Sequence, residues 1–312
     1  VKQAGSGWTR RGALGGLGAL AACRPPAAPG GDVLAAGQPA AVLLSALAPA
    51  RMIGWPRRPP TEALALLSRT APIETGSLTG GGAPLGLEAA AALRPRLILD
   101  YGDVSPRMAA IAERTQARLG TPYHLLDGTL SHIPQAFARA GKVIGEEARG
   151  EILAERAAAV LARWRGAQRT GPSFYYARGG DGLETGFAGS LATEVLEGAG
   201  WRNVARNAAG VGRTTRERIA AWDPEVLVTL DPRIARAASR DPFWVRRRGG
   251  ARRRILLLAD LPFGWIDRPP SINRLLGCAW LAGGDRAAQE VAGWLWGIAP
   301  GKLATLGGRW LA

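Results

Sequence analysis

The sequence predicts an α/β fold: two Rossmann-like lobes joined by a single long helix. Three observations carry that prediction. Short apolar runs alternate with helical stretches along most of the chain, as in sheets covered by helices. Several of these runs are apolar without alternation, the pattern of strands buried on both faces. The pattern also occurs twice, on either side of residues 146–165, which read as one continuous helix.

Taken in order, the expected strands of the first set are 51–55, 96–100 and 123–126, with helices at 40–47, 87–92 and 108–119. In 146–165 the side chains of Ile152, Leu153, Ala157, Val160, Leu161 and Trp164 fall on one face, and Glu151, Glu155 and Arg156 on the other. Such a helix is about 30 Å long and suits a rigid connector between lobes. The second set has strands at 173–177, 225–230 and 255–259 and helices at 191–199 and 216–221. Residues 271–296 continue as helix, with Trp280, Trp294 and Trp296 facing inward. The two lobes echo each other: Pro95 precedes one buried strand and Pro224 another, each ending a helix.

The first thirty residues read differently. Lys2, Arg10 and Arg11 form a basic head, followed by an apolar run from Gly12 to Ala22. That run is too short to span a bilayer, which takes about 20 residues, so residues 1–22 read as an export signal. Thr9-Arg10-Arg11 resembles a twin-arginine signal, and Leu20-Ala21-Ala22-Cys23 resembles a bacterial lipobox with Cys23 as the lipidated residue. Residues 23–31, rich in Pro and Ala, then form a lipidated tether. The resulting division is 32–145 for the first lobe, 146–166 for the connector, and 167–312 for the second lobe and terminal helices.

Composition narrows the function. The formal charge is +15, and only Lys2, Lys142 and Lys302 among the 40 basic residues are lysines. Charge alone permits a nucleic-acid partner. The run of arginines at 246–248 and 252–254 lacks interleaved aromatics, however, and reads as a solvated turn. With export expected as well, no nucleic acid is expected. Two histidines exclude a multi-histidine metal centre made by this chain, and no metal or cofactor is expected. His124 and His132 read as local structural or rim residues. With Cys23 lipidated, Cys278 has no disulfide partner and reads as a buried small hydrophobe. No poised nucleophile and base are found, which leaves an exported α/β hydrolase as a remote alternative and a non-enzyme as the expectation. Gly80–Gly82 is neither a dinucleotide fingerprint nor a phosphate loop.

Two clusters stand out as ligand-binding candidates. In residues 172–190 a strand delivers Tyr175, Tyr176 and Arg178 to a glycine-rich loop, where an arginine fork suits carboxylates or oxoanions. In residues 261–277, Trp265, Asp267 and Arg268 stand in a proline-bounded loop before a helix. An aromatic beside an arginine makes a wall for a bulky anion. The alternative is a local Asp267–Arg268 pair beside a core tryptophan. Tyr101 and Asp103 lie just beyond a buried strand, where open α/β sheets place ligands.

On these residues the chain resembles the periplasmic substrate-binding proteins of iron-complex, cobalamin and haem ABC importers. The resemblance covers roughly 31–281, through ARMIGW (50–55), LEAAAALRPRLIL (87–99), GSLATEVLEGAGWRNVA (189–205) and IAAWDPEVLVT (219–229). It implies a ligand cleft between the lobes and a ligand that is an iron complex: siderophore-like, cobalamin or haem. A molybdate- or tungstate-type oxoanion is the alternative. Carried over by position, the ligand-binding residues are Tyr101, Tyr176, Arg178, Trp265, Asp267 and Arg268. The resemblance further implies docking on an inner-membrane ABC permease through an acid on each lobe. Glu194 matches in the second lobe. The first-lobe position is Val42, which leaves Glu62 or Glu74 to serve, or an asymmetric docking. A monomer on the extracytoplasmic face of the membrane is expected.

Overall fold

The computed structural model describes residues 30–67, 73–167, 170–303 and 307–311. The expected export signal and the lipidation residue Cys23 lie outside the described residues.

The first lobe is built from β1 (Val33–Ala35), α1 (Gln38–Leu47), α2 (Thr61–Leu66), α3 (Leu87–Ala92), β2 (Leu97–Gly102), α4 (Pro106–Leu119), β3 (Tyr123–Asp127) and α5 (Ile133–Ile144). Its strands pair in the order β1-β2-β3, all parallel, with Leu34 opposite Ile98 and Leu99 opposite His124. Alternation along the strands assigns the faces. Val33, Ala35, Leu97, Leu99 and Tyr101 enter the main core with α1, while Leu34 and Ile98 join Ala90 of α3 in a smaller cluster on the other side. Residues 51–55 do not form the expected strand. Met52 and Trp55 make only isolated bridges, to Val33 and Glu74, because Gly54 and Pro56 interrupt a regular ladder.

After α6 (Glu147–Gly166) the second lobe comprises β4 (Ser173–Tyr176), β5 (Glu184–Gly186), α7 (Glu194–Gly198), β6 (Arg202–Asn203), β7 (Val211–Arg213), α8 (Arg216–Trp222), β8 (Val226–Thr229), α9 (Pro232–Ala238), α10 (Pro242–Val245), β9 (Arg254–Leu257), α11 (Arg274–Trp296) and β10 (Arg309–Leu311). Its sheet runs β10-β9-β8-β4-β6; β10 is antiparallel to β9 and the other pairings are parallel, while β5 and β7 form a separate antiparallel ribbon. Phe174, Tyr176, Val226, Val228 and Leu256 face the same main core as the first lobe, and Tyr175, Leu227 and Ile255 face α8 and α9. Helix starts follow local chemistry: the side chains of Thr215, Asp231 and Asp241 accept hydrogen bonds from the first-turn N–H groups of α8, α9 and α10.

These are two α/β lobes joined by a long helix, with a cleft between them. α6 carries the chain from one sheet to the other. Near its start Gly150 meets Gly141 of α5 so closely that a side chain on either would strike the opposing backbone. Near its end Trp164 lies where a side chain on Gly198 of α7 would be. α11 runs beside α6 and α1, broken at Gly284, where φ is +71° and ψ −164°. It ties the lobes at both ends. Ser271, just before it, donates to the Pro39 carbonyl at 2.7 Å, and the Trp296 indole donates to Ser45 Oγ at 3.0 Å. Among the described residues no helix is long and apolar enough to cross a membrane.

Candidate functional site

Both sheets aim the carboxyl ends of their strands at the cleft. Gly102 ends β2 and Asp103 follows it, Asp127 ends β3, Arg178 follows β4 and Asp260 follows β9. Parallel α/β sheets present ligand sites at this end because the strand-to-helix loops collect there. Two cavities, of about 690 Å³ and 550 Å³, open between the lobes, and Arg178, Asp267 and Pro270 line both. A third cavity of about 520 Å³ lies between α6 and α11, away from the strand ends.

Arg178 sits at the junction. Its backbone bonds to Glu184 in both directions, which fixes the start of the glycine-rich loop. Its guanidinium reaches Asp267 Oδ2 at 3.2 Å and Glu184 Oε1 at 3.3 Å, while its Nε is buried with no hydrogen-bond partner. Asp267, 2% exposed, also accepts from the Tyr176 hydroxyl at 3.1 Å. Burial and the Asp267 charge push the Tyr176 hydroxyl well above its usual pKa, so it remains a donor. The arrangement Tyr176–Asp267–Arg178 therefore holds one arginine fork at the cleft with a donor to spare. Arg268 adopts a left-handed backbone, φ +64°, an uncommon conformation for a side-chain-bearing residue. It faces Asp260 across 3.5 Å. Although 43% of its side chain stays exposed, desolvation by the surrounding cleft walls pushes the Asp260 carboxyl up to about 6, against the pull of Arg268.

Of the six expected ligand-binding residues, the structure brings Arg178, Asp267 and Arg268 to the cavity walls. The other three stand behind. Trp265 is 0% exposed, with its indole donating to the Leu261 carbonyl at 3.0 Å; it is a core residue and not the expected wall of the cleft. The cavity face at this loop is made by Phe263 and the prolines. Tyr176 is buried beneath Arg178. Tyr101 is buried too, its hydroxyl without a hydrogen bond and its pKa raised by burial, with the Arg274 charge opposing. Asp267 pairs with Arg178 and not with its neighbour Arg268.

Glu194 occupies an inter-lobe position. Its Oε2 accepts from the fully buried Arg274 guanidinium and, at 2.9 Å, from the Leu130 N–H of the first lobe; its side chain is 24% exposed. Arg274 also donates to the Gly128 carbonyl. Val42 is wholly buried in α1, while Glu62 is exposed on α2 and Glu74 accepts from the Arg58 N–H. The arginine run at 246–254 is not uniformly solvated: Arg253 is 2% exposed and donates to the carbonyls of Pro224, Phe243 and Trp244. Cys278 is buried, its thiol pushed up by burial and so unsuited to attack.

Sequence reasoning missed Arg57 and Arg58 as cavity residues. The signal was available in the pairing of two arginines with Pro56, Pro59 and Pro60, which holds them in a stiff extended turn.

No protein-family profile matches the chain, and no curated protein sequence matches it. Solved structures do. An ABC transporter solute-binding protein from Sulfurospirillum deleyianum superposes with a TM-score of 0.75 at 22% identity, covering 90% of this chain and 94% of its own. The molybdate periplasmic binding protein of a Haemophilus influenzae ABC transporter, bound to molybdate, gives 0.66 at 15% identity over 87% and 94%. A periplasmic heme-binding protein from Roseiflexus sp. in apo form gives 0.59 at 20% identity over 83% and 99%. The chain thus has the two-lobed periplasmic solute-binding fold found among ABC transporters.

Proposed function

We propose that this protein is the solute-binding lipoprotein of an ABC importer. It captures an iron complex in the inter-lobe cleft and delivers it to an inner-membrane permease, binding without chemistry. The observation that carries this reading is the pair of adjoining cavities, about 690 Å³ and 550 Å³, lined from both lobes and sharing Arg178 and Asp267. Each alone is the size of a typical small-molecule site. A siderophore-like, cobalamin or haem ligand would fill such a space, whereas a single oxoanion would leave most of it to water. The heme-binding and molybdate-binding proteins of the same fold support the choice of these two ligand classes. Export and anchoring through Cys23 complete the reading on the extracytoplasmic face of the membrane.

The second reading, a molybdate- or tungstate-type oxoanion, draws on the glycine loops, whose backbone N–H groups suit such an anion. Native mass spectrometry of freshly purified protein, with elemental analysis, tests both. A bound organic mass with iron or cobalt is expected. Molybdenum or tungsten with no organic mass selects the second reading, and protein that carries no cargo from cells supplied with each ligand class overturns both.

A further inference from the structure

Within the larger cavity the first lobe contributes a group of donors with nothing to bind. Arg57 and Arg58 are exposed at its edge, and their guanidinium groups form no ion pair among the described residues. Their backbone is nevertheless fixed: Arg57 N–H donates to Gln38 Oε1 at 3.1 Å and Arg58 N–H to Glu74 Oε2 at 3.3 Å. Beside them is the tip of the 77–85 loop. Its base is anchored, since Ser77 pairs with Pro84 and the Thr79 hydroxyl reaches both oxygens of buried Asp100 at 3.2 and 3.1 Å. Its tip, Gly80–Gly82, is open. A Cβ at Gly80 or Gly81 would meet no atom within 4 Å, and among the described residues no hydrogen bond engages the three N–H groups.

Across the same cavity, from the second lobe, stand Arg268 and Arg178. Four arginines thus share the cavity with two carboxylates, Asp260 and Asp267. Asp267 is already committed to Tyr176 and Arg178. Four guanidinium groups against two carboxylates, with free backbone donors in a concave space, favour an oxyanion. We propose that Arg57, Arg58 and Gly80–Gly82, opposed by Arg268 and Arg178, form an oxyanion subsite, and that the ligand is therefore an anionic one bearing carboxylate or related oxygen groups. This rests on the cleft being the ligand site.

The test is isothermal titration of the full chain with three probes: ferric citrate as a carboxylate chelate, sodium molybdate as a free oxoanion, and ferrichrome as a neutral hydroxamate chelate. Gly81→Glu places a carboxylate at the subsite where the backbone is not left-handed and a Cβ meets no atom within 4 Å, so a folded variant is expected, checked by its circular dichroism. Arg57→Glu with Arg58→Glu reverses the charge from the other side. Arg114→Glu, exposed on α4 and lining neither cavity, is the control for net charge. Ferric citrate is expected to bind wild type, to weaken about ten-fold or more in both subsite variants, and to be unaffected in the control. Molybdate with the same sensitivity, and no chelate, would identify the source of the oxyanion as the free ion. Binding of ferrichrome alone, or equal anion affinity in wild type and both variants, overturns the subsite while leaving the importer reading in place. A wild type that binds neither anion overturns it as well.

Discussion

Arg274 and Arg178 are both arginines of the second lobe near the cleft, yet they differ in how fully their donors are used. Arg274, 0% exposed, donates from all three guanidinium nitrogens: to the Ser271, Leu191 and Gly128 carbonyls and to Glu194. One of those partners, Gly128, lies across the lobe boundary, and another, Glu194, accepts in turn from Leu130 of the first lobe, so its charge is consumed in holding the lobes together. Arg178, 19% exposed, reaches two carboxylates only at 3.2 and 3.3 Å and keeps a buried Nε unused beside both cavities. A saturated buried arginine is architecture. An undersaturated one at a cavity wall keeps hydrogen-bonding capacity that the fold itself does not use.

The comparison is most exposed to failure at Arg274. Arg274→Met should lower unfolding free energy by about 3–5 kcal/mol in denaturant titration, since it strips Glu194 of its partner and leaves buried carbonyls unpaired. Arg178→Ala should show the opposite balance: about 2–3 kcal/mol of stability, because buried Asp267 keeps only the Tyr176 donor, against a loss of about 100-fold in affinity for ferric citrate. Equal stability losses in the two variants, or an unchanged affinity in Arg178→Ala, would remove the distinction. Tyr176→Phe deletes one donor to Asp267 and should cost about 1 kcal/mol, with a smaller affinity change than Arg178→Ala; a larger one would move Tyr176 from support to contact.

The smallest expected effect concerns pH. With its pKa raised to about 6 in the fold, Asp260 is preferentially protonated there. Its contribution to stability is therefore present in acid and declines as pH rises from about 4 through 6. Ionised Asp260 also competes for Arg268. Affinity for an anionic ligand should accordingly rise about two- to three-fold between pH 7 and pH 5, and Asp260→Asn should flatten that dependence in titrations across the range. A slope unchanged by the substitution would assign it to another group.

Much of the architecture was legible because periodicity is local. The strand expected at 96–100, the helix at 146–165 and the helix at 108–119 are written in consecutive residues, and they form at 97–102, 147–166 and 106–119. Less legible were β1, only three residues long, and β10, whose pairing with β9 spans half a hundred residues of chain. The candidate site divides the same way. Arg178, Asp267 and Arg268 announced themselves by residue type and by proline and glycine neighbours. Trp265 did too, but a tryptophan suits a core as well as a cleft wall, and only the packing behind the Leu261–Arg268 loop decides between them.

The sequence by itself determined the two α/β units, the helix that joins them and an arginine-bearing loop after the first strand of the second unit. These follow from patterns a few residues long. What only the tertiary structure decided is which arginines line the cleft and which are consumed in internal bonds. Arg57 and Arg58 line one cavity together with Arg268, Arg274 closes on Gly128 and Glu194, and Arg253 is folded under α10. Identical side chains acquire opposite roles because the number of carbonyls and carboxylates within reach is a property of the assembled lobes, set by residues far apart in the chain.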